Sequence, residues 1–291
     1  MFKGSIVALV TPFTENDEID VEALEALVDF HVEARTDGLI CLGTTGEAST
    51  LTNEERRLVI ETVLKRGKGK IPVIAGTGCN ATKLSYERTI EAKALGVDGA
   101  LIIVPYYNKP TEEGCVRHFE EVAKANLPLI AYHHPGRTGV HLSLETLGLI
   151  AKIPHVVAIK EASGDVDLAI NLCGMTSKPI LSGDDTLTLS LLLGGGSGVC
   201  SIVANVIPSL WKELVDAFAR GDIEKAKHIS DKYTPLCNAL VIETNPQCVK
   251  YALSLMGKCS SKMRLPLLEP RDATKKLIKE ALEFYGVDGG L

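Results

Sequence analysis

No run of Lys or Arg longer than two occurs in the 291-residue chain, whose formal charge is −6 and whose pI is about 5.7. Nucleic acids and anionic membranes demand clustered positive charge, so neither is expected as a partner, and a small molecule is. No apolar stretch approaches the roughly 20 residues of a membrane span. The opening apolar segment is cut by Pro12 and followed by Glu15, Asp17, Glu18 and Asp20, which fits neither a signal peptide nor a membrane anchor. It reads as the first strand of a cytoplasmic protein. The eight cysteines include no CxxC pair and no Cys/His spacing of a zinc site. They read as free thiols acting as small apolar side chains, with no metal expected. A GxGxxG after the first apolar run is also missing, which counts against a dinucleotide fold.

What is present is apolar content enough for a large core: 45% hydrophobic and 23% charged residues, with a mean hydropathy of +0.14. Short runs rich in Val, Ile and Leu begin near Ile6, Leu39, Ile71, Ala100, Leu127, Val156, Ile180 and Gly198. They alternate with longer polar segments of helical period, the pattern of βα units around a parallel sheet. Eight such runs predict an α/β protein, a closed (β/α)8 TIM barrel.

Helices are predicted over 20–34, 53–65, 81–95, 112–124, 143–151 and 165–173. Asp20 and a Thr52/Glu55 capping box open two of them, and Gly38 and Gly96 stand where helix ends need a left-handed residue. After Pro208 the strands stop, and helices are predicted over 208–219, 223–240, 247–256 and 271–285. The expected organisation is a catalytic barrel over 1–222 and a small C-terminal helical region over 223–291.

Active sites of such barrels lie at the C-terminal ends of the strands. Four ends carry conspicuous polar residues: Thr44, Thr45 and Glu47 after the second run, Tyr106 and Tyr107 after the fourth, Tyr132 and Arg137 after the fifth, and Lys160 closing the sixth. An amine held among apolar side chains favours its neutral, nucleophilic form, and attack on a ketone gives an iminium that acidifies the adjacent carbon. The plainer reading is a loop lysine paired with Glu161. Tyr132, on the neighbouring strand, suits proton transfer, although a packed amphipathic tyrosine fits as well. The Thr44-Thr45-Gly46 turn offers hydroxyls and amides to a carboxylate, or is an ordinary strand-to-helix turn. Arg137, in a Pro-Gly loop, can grip a second carboxylate or form a solvent-facing salt bridge. His133 and His134 are adjacent and, on a strand, face opposite sides, so they cannot share a metal from there. The Gly194–Gly198 stretch precedes the eighth strand, at the wrong end of the barrel for a substrate phosphate, and reads as close backbone packing.

These residues, with the segments GTTGEASTL, VPYYNKPTEEG, YHHPGRTG, IKEASGD, LSGDD and ETNPQCVK, resemble the dihydrodipicolinate synthase family of pyruvate-dependent Schiff-base aldolases nearly end to end. GTTGE and the strand-end IKE are shared with sister lyases, such as N-acetylneuraminate lyase or 2-keto-3-deoxy sugar acid aldolases. GRTG and YYNKP favour the synthase. The resemblance implies Lys160 as the pyruvate-binding lysine, Tyr132 as proton donor and acceptor, and Thr44 and Tyr107 as relay partners, with Tyr107 delivered from a neighbouring subunit. It further implies Thr45 as a pyruvate-carboxylate contact, the Cys200 carbonyl near pyruvate, and Arg137 on the carboxylate of aspartate semialdehyde. No cofactor is implied, and the partner expected is a second copy of the chain, as a dimer or a tetramer of two tight dimers. Ser49, Asn80, Leu84 and Tyr106 match the family's lysine-feedback site. Lysine-inhibited members carry a carboxylate at the position of Leu84, so weak or absent inhibition is expected. A non-catalytic barrel sensing a ketoacid or amino acid is the reading from another class. It has no need of a nucleophile beside a proton relay.

Overall fold

The computed structural model describes residues 2–287. The eight apolar runs form eight parallel strands: β1 (Gly4–Ala8), β2 (Gly38–Cys41), β3 (Val73–Gly76), β4 (Gly99–Ile103), β5 (Leu129–His133), β6 (Val156–Glu161), β7 (Ile180–Ser182) and β8 (Gly198–Ser201). Each pairs with the next, and β8 pairs with β1, closing the barrel. Alternation then sorts the side chains. Ile6, Ile40, Ile74, Leu101, Ile130, Ala158, Leu181 and Cys200, one from each strand, fill the barrel interior.

The intervening helices are α1 (Val21–Glu33), α2 (Asn53–Gly67), α3 (Thr82–Leu95), α4 (Glu112–Ala123), α5 (Pro135–Thr138), α6 (Leu144–Lys152), α7 (Val166–Met175) and α8 (Thr188–Leu193). Asp20 caps α1, accepting from the Ala23 N–H at 2.9 Å, and the Thr52/Glu55 box caps α2 in both directions. Gly96 ends α3 at φ 98°, as expected. Gly38 does not end α1: it is the first residue of β2, and the left-handed position falls on Arg35 at φ 56°. Two helices escape the sequence pattern. The expected Pro-Gly loop around Arg137 is the single turn α5, whose proline has the φ of a first helical residue. The six residues of α8 are too few to show a helical period.

Beyond β8 lie α9 (Pro208–Ala219), α10 (Ile223–Ala239), α11 (Gln247–Leu255) and α12 (Asp272–Tyr285), with no further strand among the described residues. At the seam of the barrel Gly198 has φ 147°, and a Cβ there would collide with the carbonyl of Gly4. This stretch is therefore tight backbone packing at the N-terminal end of the barrel. The eight cysteines are all free thiols.

Candidate active site

Ala158 points into the barrel, so Lys160, two residues on, points inward at the C-terminal mouth and Glu161 points out. Lys160 is 6% exposed. Tyr132 stands beside it in register on β5, and the lysine Nζ lies 4.4 Å from the centre of the phenol ring. The alternative pairing with Glu161 fails. On the outer face, Glu161 Oε2 accepts from His133 Nδ1 at 2.6 Å and its Oε1 accepts from the Ser163 N–H at 2.5 Å. His133 Nε2 in turn accepts from the Leu142 N–H at 3.2 Å, so the bonding pattern assigns the ring proton to Nδ1. His133 is thereby committed to the wall between β5 and β6.

His134, on the other side of the chain, packs against the edge of Tyr132 with ring centres 5.9 Å apart. Burial pushes its pKa down to about 4, and the nearby charges of Arg137 and Lys160 add to the shift. It is a neutral neighbour of the phenol. The two histidines part as the sequence predicts, and no group of three or more His, Cys, Asp or Glu able to hold a metal occurs among the described residues.

A cavity of about 480 Å³ opens over this mouth. Thr44, Tyr132, Arg137 and Asn245 line it, together with Ser49, Arg56, Arg88 and Tyr106. Lys160 does not itself line the cavity; the ring of Tyr132, which does, lies over its amine. Thr45 is buried, its hydroxyl accepting from Asn245 Nδ2 at 2.9 Å, while Arg137 Nη2 donates to the Asn245 carbonyl at 3.3 Å. Arg137 has no carboxylate partner among the described residues, so the surface salt bridge is not formed. Cys200 is fully buried in the barrel interior, and burial pushes its thiol up to about 11.

Other expected residues fall elsewhere. Tyr107 is 87% exposed at φ 74° and does not line the cavity. Of the four feedback positions, Ser49 and Tyr106 reach the cavity; Leu84 and Asn80 do not, and the Asn80 carbonyl accepts from Asn108 Nδ2 at 2.9 Å.

Several supporting contacts lay outside the sequence reading. Lys250 and Glu47 form an ion pair of 2.7 Å with both side chains fully buried, and Lys250 also donates to the Thr11 carbonyl at 2.9 Å. Glu47 adopts φ 51°, closing the Thr44-Thr45-Gly46 turn, and its other oxygen accepts from the Arg264 N–H at 3.2 Å. Asp185 binds the Ser201 hydroxyl and the Ile202 and Val203 N–H groups behind β8. Asn205 donates to the Ala8 carbonyl at 2.8 Å, tying the end of β1 to the turn after β8. Signals existed: Glu47 closes a motif already singled out, and Asp185 lies in LSGDD. The partners of both are remote in sequence and have no local pattern.

A closed parallel barrel with an amine and a phenol in register at its catalytic end is the framework of a lyase acting next to a carbonyl carbon. The family model described as the dihydrodipicolinate synthetase family matches residues 1–284. A relative from Geotalea uraniireducens, named 4-hydroxy-tetrahydrodipicolinate synthase, is 48% identical over 291 residues, covering 99% of this chain and 100% of its own. The crystal structure of dihydrodipicolinate synthase from Aquifex aeolicus superposes with a TM-score of 0.96 at 44% identity, covering 99% of each chain. The Acinetobacter baumannii enzyme, solved in complex with pyruvate, superposes with a TM-score of 0.95 at 41% identity, covering 99% of this chain and 100% of its own. The chain belongs to the dihydrodipicolinate synthetase family.

Proposed function

We propose that the chain is a 4-hydroxy-tetrahydrodipicolinate synthase, condensing pyruvate with L-aspartate 4-semialdehyde in the cytoplasm, on the route to diaminopimelate and lysine. The observation that carries this reading is the in-register pair of Lys160 and Tyr132 at the mouth of the barrel, beside a cavity bearing an arginine free of any carboxylate. In this reading the Lys160 amine attacks the pyruvate ketone, and water leaves as the iminium forms. Loss of a methyl proton gives an enamine, whose carbon bonds to the aldehyde carbon of the semialdehyde. The substrate's own amine then displaces Lys160 and closes the ring, so one water is released overall. The iminium nitrogen is the electron sink, and the step calls for no metal or cofactor.

Tyr132 carries protons to and from the carbinolamine and enamine, within a relay of Thr44 and Tyr107. Thr45 and the Cys200 carbonyl orient pyruvate, and Arg137 holds the carboxylate of the second substrate. The exposure of Tyr107 supports delivery into a partner's site across a tight dimer, whether that dimer stands alone or pairs into a tetramer. Lys160, Tyr132, Thr44 and Arg137 all belong to a catalytic barrel over residues 1–222, and the helical region over 223–291 contributes Asn245.

Borohydride reduction in the presence of pyruvate, followed by peptide mass analysis, is expected to label Lys160, and Lys160→Ala to abolish the label. A coupled assay is expected to turn over pyruvate with aspartate semialdehyde and to leave N-acetylneuraminate uncleaved. Labelling with cleavage of N-acetylneuraminate and no use of the semialdehyde would transfer the chain to a sister lyase; no label at all would leave a sensor.

A further inference from the structure

Tyr132 and Lys160 face each other in register, and the next pair along the ladder is His133 with Glu161, on the outer face of β5 and β6. The ladder before them does not by itself fix that alignment. Leu129 pairs with Val156 but Ile130 pairs with Ala158, so β6 carries an extra residue, Val157, just before the reacting pair. A slip of one residue between strands turns side chains to the opposite face, which would take Lys160 out of the barrel mouth.

His133 and Glu161 are both buried, and every polar atom of the two side chains has a partner. His133 Nδ1 donates to Glu161 Oε2 at 2.6 Å, and Glu161 Oε1 accepts from the Ser163 N–H at 2.5 Å, where the chain leaves β6. The backbone continues the lock, with the Ala162 N–H donating to the His133 carbonyl at 2.9 Å. At the far side of the ring, Nε2 accepts from the Leu142 N–H at 3.2 Å. That bond closes the excursion of the chain from 133 to 142, which holds α5 and Arg137. The Arg137 guanidinium reaches the Asn245 carbonyl by a long bond of 3.3 Å, so its place depends on how this loop is held.

Apolar side chains could fill this wall as stably, since the cost of taking a carboxylate out of water is merely offset by its bonds. A fully paired polar cluster does something else, which is to admit one arrangement of the elements it joins. We propose that His133 is a positioning residue for the reaction. Through Nδ1 and Glu161 it locks the alignment of β5 on β6 that sets Tyr132 beside Lys160, and through Nε2 it closes the loop that presents Arg137. The proposal rests on the roles given above to Lys160, Tyr132 and Arg137. The two nitrogens then act on different substrates: Nδ1 on the capture of pyruvate, Nε2 on the grip of the second carboxylate.

The test is a set of substitutions in the intact protein, read on the two substrates separately. An asparagine amide reaches as far as Nδ1 and can donate to Glu161 but falls short of Leu142, whereas a glutamine amide reaches as far as Nε2 and can accept from Leu142. His133→Asn is expected to capture pyruvate, trapped with borohydride, at close to the parental rate. Its KM for aspartate semialdehyde should rise about tenfold, the size of one lost buried hydrogen bond. His133→Gln is expected to slow capture about tenfold or more, with that KM within about twofold of the parent's. Glu161→Gln, which turns an amide N–H toward one of the two donors, is expected to slow capture likewise and to leave KM alone. Rates are referred to the sites labelled at saturating pyruvate, so partial unfolding of a variant does not enter them. A purely structural wall would lose label and unfolding temperature in all three variants with both constants unchanged. That result, parental constants throughout, or the reverse split overturns the proposal. A parent that neither labels nor turns over would overturn the Schiff-base reading first, and the proposal with it.

Discussion

Gly183 has no side chain to offer the reaction, yet it decides where Lys160 can stand. A Cβ on Gly183 would come within 2.9 Å of the lysine Cε and would also run into the Ala162 methyl. Both cannot yield without moving the amine. A misplacement of about 1 Å at a reacting group costs on the order of 100-fold in rate. Gly183→Ala is therefore expected to slow borohydride-trapped pyruvate capture on that order while the protein stays folded; capture at the parental rate would show that the lysine tolerates the crowding. The candidate residues Lys160, Tyr132, Thr44, Thr45 and Arg137 could be singled out in the sequence because each ends or follows an apolar run. Gly183 was not, since its contribution is a space rather than a group.

At the scale of elements, the helical region after α9 is bolted to the catalytic face. Lys250 of α11 pairs with Glu47 at the end of the β2 turn, and Asn245, just before α11, contacts both Thr45 and Arg137. Removing one member of a buried ion pair leaves the other charge stranded, at a cost of about 3–5 kcal/mol. Lys250→Met is expected to destabilise the protein by that amount in urea unfolding, and Lys250→Met with Glu47→Gln by clearly less than the sum of the single changes. Additive losses would mean that the pair carries no coupling. The helices and strands themselves were readable from period and punctuation, most boundaries lying within two residues. What the pattern missed were the two shortest helices and every contact made across the barrel mouth. Periodicity reports which face of an element is buried, and says nothing of which element it is buried against.

Two expectations belong to the whole molecule. His31, His118 and His134 are pushed by burial to pKa values of about 3, 4 and 4, well below the ordinary 6.5. The unfolded chain takes up these protons first, so the stabilisation is complete above about pH 6.5 and is lost as pH falls toward about 4 for His118 and His134 and about 3 for His31. Each histidine contributes a slope of up to about 1.4 kcal/mol per pH unit across that window. Urea midpoints at pH 7, 6 and 5 are expected to fall progressively, and the fall to lessen in His31→Gln; a flat profile would contradict the buried neutral state. The second expectation concerns assembly. If Tyr107 works in a neighbour's site, mixing the inactive chains Lys160→Ala and Tyr107→Phe under exchange conditions restores turnover, because each mixed pair contains one complete site. No recovery would confine Tyr107 to its own chain.

The seam where Gly198 meets Gly4 has a consequence for synthesis. A barrel is closed only by its last strand, so while the ribosome is still extending the chain β1 has a partner on one side alone. Its open edge is a template for pairing with other nascent chains until β8 emerges, and the contact that removes it is among the longest in sequence. The closed barrel therefore cannot form before residues 198–201 have been made.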